Sequence, residues 1–182
     1  DTIDGGAGTD TLSFTVNSTT GTLSASQVTN VEKTQILFAT ATGGAYAGGA
    51  GATTHTITAP TINNTEVILT NLATGSTVNM SGTTKITSAY IDTAAGATLT
   101  VGLGSSQALA TADGDITIVD AATVNFTSVT AAANYDEVAL DNTDTTAVTI
   151  TGGLYGTTGD DFSLTNAVTT LSITSTYAAT SV

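Results

Sequence analysis

The chain has 182 residues and a net charge of −13, with two lysines (Lys33 and Lys85), no arginine and no cysteine. Phosphate backbones and anionic bilayers are held mainly by Lys and Arg, so nucleic-acid binding and membrane association are disfavoured. No apolar run is long enough to span a bilayer either. A hydrophobic content of 40 % argues against a disordered acidic tail. With 5 % aromatics, no tryptophan, 19 glycines and one proline, the composition predicts many short strands joined by glycine turns. Threonine is the commonest residue, and its β-branched side chain suits a pleated surface better than a helix. The absence of disulfide staples fits a bacterial exported protein better than a small eukaryotic secreted domain. The chain opens at Asp1, inside what reads as a repeat, and is expected to be a piece of a longer protein.

The first predicted element is a turn followed by a strand. Gly5-Gly6-Ala7-Gly8-Thr9-Asp10-Thr11-Leu12-Ser13 resembles the nonapeptide G-G-x-G-x-D-x-U-x of RTX β-rolls at every specified position, and Asp1-Thr2-Ile3-Asp4 resembles the tail of a preceding repeat. Glycines let the backbone turn tightly and aim carbonyls at a cation. Aspartate supplies charge, and the apolar residue pins the next strand into the core. Residues 1–13 therefore read as the end of a calcium-binding roll. A weaker echo follows at Gly156-Thr157-Thr158-Gly159-Asp160-Asp161-Phe162, with its apolar residue one place early.

Residues 14–65 read as a β-rich connecting region, with a glycine-rich loop at 42–51 that could serve as a joint. From residue 66 to 182 two strand types alternate. One is anchored by Val78, Leu99, Val124, Val148 and Leu171, with His55-Thr56-Ile57-Thr58 in the same frame. The other is anchored by Val67, Ala89, Ile116, Val138 and Phe162. Successive anchors lie 21 to 27 residues apart, and each strand alternates apolar with small polar residues. Such a repeat predicts an all-β, short-stranded parallel β-solenoid, in which stacking completes a core that no single coil can bury. An antiparallel β-sandwich with regularly spaced strands is the alternative.

Aligned on the second strand type, Asp92, Asp120 and Asp141 follow the strand. Asp115, Asp136 with Glu137, and Asp160 with Asp161 precede it. Coils stacked about 5 Å apart would bring these like charges together, where a cation could bridge them. Asp113 and Asp144 are further candidates. Turn capping and solubility explain the same residues without a ligand.

Little in the chain speaks for catalysis. His55 is the only histidine, and it occupies a strand position held elsewhere by Val or Leu. No G-x-S-x-G elbow accompanies it, and one histidine without cysteine cannot build a zinc site of the usual kind. No enzyme is expected.

Residues 1–13 thus resemble the RTX calcium-binding repeat, and the Thr/Ala/Gly/Val-rich, Lys-poor remainder resembles bacterial surface-layer proteins and large RTX adhesins. The resemblance implies secretion by a type I pathway and folding with Ca2+ outside the cell. Asp1, Asp4 and Asp10 would be ligands, with carbonyls around Gly6 and Gly8. It also implies self-association into a lattice on the bacterial surface, with cell-surface polysaccharide as a further partner. A stalk or binding module of a secreted adhesin, or the non-catalytic part of a secreted RTX enzyme, are the alternative roles.

Overall fold

A computed structural model describes residues 2–16, 22–24, 28–38, 42–48, 51, 53–58, 65–81, 86–103, 115–129, 137–140, 144–152, 161–163 and 167–174. The architecture is an all-β parallel β-solenoid without a helix among these residues. Every strand pairing described is parallel, which excludes the antiparallel sandwich.

One ladder runs through β2 (Thr11–Val16), β5 (Lys33–Phe38), β7 (Thr54–Thr58), β9 (Thr77–Ser81), the second half of β10 (Ile86–Leu103), the second half of β11 (Asp115–Val129), β13 (Ala147–Gly152) and β15 (Thr170–Thr174). The other runs through β3 (Thr22–Ser24), β6 (Thr42–Ala47), β8 (Thr65–Leu72), the first halves of β10 and β11, β12 (Glu137–Leu140) and β14 (Asp161–Ser163). A short pair, β1 (Ile3–Asp4) on β4 (Val28–Thr29), stands at the N-terminal end. The stretch expected as a glycine loop at 42–51 contains β6, whose backbone pairs with β3 on one side and β8 on the other.

In the second ladder Val67, Ala89, Ile116, Val138 and Phe162 are direct partners, in the register that their spacing predicts. In the first ladder the register differs at one step: Val78 pairs with Val101 rather than Leu99. Leu99 pairs with Val124 and sits two residues earlier on the same face. A shift of two residues preserves which side chains point inward, so the apolar pattern alone cannot distinguish the two registers.

The inward residues of both ladders form one core, with Ile36, Ile57, Met80, Leu69, Ile91, Leu99, Ile116 and Phe126 completely or almost completely buried. The strands β10 and β11 carry the chain around the corner from one ladder to the other, with register shifts between Asp92 and Thr98. Left-handed backbone at Asn71 (φ 54°), Gly96 (φ 75°) and Asp120 (φ 65°) makes the bend. Asn and Asp tolerate that region better than other side chains.

Candidate calcium turn and acid columns

The N-terminal turn runs from Asp4 to Asp10 and stacks on the shorter connection Asn30–Glu32 of the next coil. The Gly5 N–H donates to the Thr29 carbonyl at 3.0 Å, and the Lys33 N–H donates to the Asp10 carbonyl at 3.1 Å. Gly5 is required by close approach, because a Cβ there would overlap the Asn30 carbonyl oxygen. Gly6 (φ 84°) and Gly8 (φ 133°) are required by their backbone, which side-chain-bearing residues rarely adopt.

The Asp4 and Glu32 side chains at this turn are held by N–H donors. Asp4 Oδ1 accepts from the Gly6 N–H at 3.0 Å and from Asn30 Nδ2 at 2.8 Å. These bonds, Asn30 first, lower the Asp4 pKa from its ordinary value. Glu32 Oε2 accepts from the Asp10 N–H at 3.0 Å. Asp10 Oδ2 is buried and has no hydrogen-bond partner. A buried carboxylate oxygen without a donor is the feature that a cation would satisfy. In that respect the turn fits calcium. It fits less well in another, since no three acidic or histidine side chains converge in a metal-binding group among the described residues. Backbone carbonyls and Asn30 would have to complete a coordination sphere.

Asn30 and Glu32 were not foreseen as members of this site. The signal was available in the coil length, because Glu32 lies one coil beyond Asp10, as Lys33 does beyond Thr11. Asp1 falls outside the described residues.

The acids that follow the second strand are brought together in part. Asp92 and Asp120 occupy adjacent coils at the corner. The Asp92 pKa is raised, first by partial burial and then by the Asp120 charge, against a lowering hydrogen bond from the Asn71 backbone. Asp144 is exposed just before Thr145, whose hydroxyl donates to the Ala121 carbonyl at 2.7 Å. Asp144 therefore approaches the corner that Asp120 begins. Asp141 lies outside the described residues, as do Asp113, Asp136 and Asp160. For the acids preceding the second strand, backbone register aligns Asp115 with Glu137 and Glu137 with Asp161.

His55 lies in the core at 1 % exposure, with Nδ1 2.7 Å from the Thr34 hydroxyl. No protein-family model, curated protein or solved structure matches the chain.

Proposed function

We propose that this chain is a structural module of a calcium-dependent, self-assembling surface layer of a bacterium, exported to the cell exterior. The observation that supports this reading best is the buried, partnerless Oδ2 of Asp10 in a glycine turn that stacks on the next coil of a parallel solenoid. Asp10, with backbone carbonyls of the Gly5–Gly8 turn and the Asn30 side-chain oxygen, would supply oxygens to Ca2+, a hard cation that takes oxygen ligands. Ca2+ would neutralise acids that otherwise repel across adjacent coils. A surface with net charge −13 resists close packing of copies, so a divalent ion is also the natural counter-charge for a lattice. An all-β solenoid also presents flat, strand-built faces suited to lateral contact with copies or with polysaccharide.

The test is light scattering of the purified chain in millimolar-range calcium and then in chelator, with Asp10→Asn alongside. Reversible growth into large particles, weakened in Asp10→Asn, is the expected result. A chain that remains monomeric under both conditions would count against a coat and favour the stalk of an adhesin.

A further inference from the structure

The chain's one histidine is built into a column of the core whose other members change character along the stack. Direct partners in the first ladder run Leu12, Thr34, His55, Val78, Val101, Phe126, Ile150 and Ile173. From Val78 onward the column is apolar. At Thr34 and His55 it is polar, although both side chains are only 1 % exposed. The second ladder closes over this pair. Tyr46, 2 % exposed, meets the imidazole edge-on with centroids 5.3 Å apart. Phe14 in turn packs on Tyr46 at 5.7 Å.

Around His55, β5 contributes Thr34, β9 contributes Val78, and β6 contributes Tyr46. Lys33 lies on the exposed face of β5. Among the described residues, the only titratable group that faces the ring is the Tyr46 phenol, which burial keeps neutral to higher pH than usual. No carboxylate on these elements is in place to stabilise an imidazolium.

We propose that the Thr34–His55–Tyr46 cluster is an acid-sensitive latch: protonation of His55 opens the coils around β5, β6 and β7, while the later coils with a wholly apolar column stay closed. A neutral ring fits the cluster through one hydrogen bond and two apolar faces, and a charged ring would be desolvated without a counter-ion. Burial accordingly holds the His55 pKa down, at about 4 against an ordinary 6.5. The folded value lies below the unfolded one, so the open form takes the proton first. Stability is therefore complete above 6.5 and is lost as pH falls toward 4.

Neither carboxylate with a shifted pKa among the described residues can imitate this window. Asp92, with its raised pKa, works in the opposite direction as pH falls. Asp4, with its lowered pKa, acts only below its ordinary 3.8. The inference does not depend on calcium, and it holds equally with chelator.

The experiment compares the full chain with His55→Val, the residue found at the next position of the column, in urea unfolding from pH 7.5 to 4.5. The unfolding constant of the native chain should rise roughly tenfold per pH unit below about 6, and that of His55→Val should be nearly flat. Hydrogen exchange, corrected for intrinsic rates, should show the acid-induced opening in residues 33–58 before 115–127. An equal pH dependence in both proteins, or uniform opening along the stack, would overturn the proposal. Should His55→Val fail to fold, the single imidazole proton resonance decides. Titration below 5 supports the latch, and titration near 6.5 sinks it.

Discussion

Gly48 and Asn71 are clamped together across adjacent coils: the Asn71 side-chain amide donates to the Gly48 carbonyl at 3.3 Å, and a Cβ on Gly48 would come within 2.8 Å of the Asn71 carbonyl oxygen. The same Cβ would meet Leu72 Cα at 3.1 Å. Because the obstacles include backbone, a side-chain rotation cannot relieve them. Gly48→Ala should therefore cost about 1–3 kcal/mol, the usual range for overpacking. Gly51, which has nothing within 4 Å of such a Cβ, supplies the control. Gly51→Ala should change stability by less than about 0.5 kcal/mol. Urea midpoints of the two variants measure the difference, and equal midpoints would contradict the clamp.

Ile150 and Ile173 are partners in successive strands with the same inward orientation, yet their exposures are 0 % and 39 %. A side chain gains stability in proportion to the area that its neighbours remove from water. Ile150→Ala should cost about 2–5 kcal/mol, as for other buried aliphatic truncations. Ile173→Ala should cost less than half as much. The pair of chemical denaturation curves tests whether β15 is the loosely covered end of this ladder. Similar losses would mean that Ile173 is as well packed as Ile150.

The solenoid was legible because both ladders alternate side chains with period two and recur at near-constant spacing. The second ladder could be registered to the residue from Val67, Ala89, Ile116, Val138 and Phe162. The step from Val78 to Val101 was misread by two because Leu99 and Val101 are both apolar and point the same way. Hydrogen bonding at the corner settles the matter: the Thr100 N–H reaches the Ser76 carbonyl at 3.0 Å. The strand β6 was hidden by its glycines, whose turn propensity was overridden by pairing to β3 and β8. At the turn, the glycines and Asp10 were legible from the nonapeptide pattern. Asn30 and Glu32 were not, since their role arises only when the next coil stacks against the turn.

Gly6 makes its demand through backbone conformation alone. Its φ is 84°, and nothing lies within 4 Å of the position a Cβ would occupy. Space is therefore no obstacle, and the cost of a side chain is the left-handed strain, about 1–2 kcal/mol for an ordinary residue. Gly6→Asn should lose little, because Asn enters this region readily, as Asn30 and Asn71 do here. Gly6→Val should weaken the turn and, with it, the hydrogen bond from the Gly6 N–H to Asp4. Amide exchange at Gly5 and Lys33, both tied to the stacked turn, should accelerate in Gly6→Val and stay near the native rate in Gly6→Asn. Identical exchange in the two variants would show that the turn does not depend on this conformation.

Asp92 carries a raised pKa, so the folded chain holds its proton to a higher pH than the unfolded chain does. The sign is fixed by linkage: the favourable contribution exists at low pH and is lost as pH rises through the folded value. At neutral pH Asp92 is therefore a charged group in a place that partial burial and Asp120 make unfavourable. Asp92→Asn removes the charge while its amide oxygen can still accept from the Asn71 backbone. The variant should be more stable than the native chain at pH 7, with the gain vanishing near pH 3. Asp120→Asn should recover less, because burial exceeds the Asp120 charge as a cause, and its left-handed backbone suits Asn. Urea midpoints at the two pH values, measured in chelator, test the argument. A stabilisation by Asp92→Asn that is the same at pH 3 and pH 7 would mean that the effect is steric and not electrostatic.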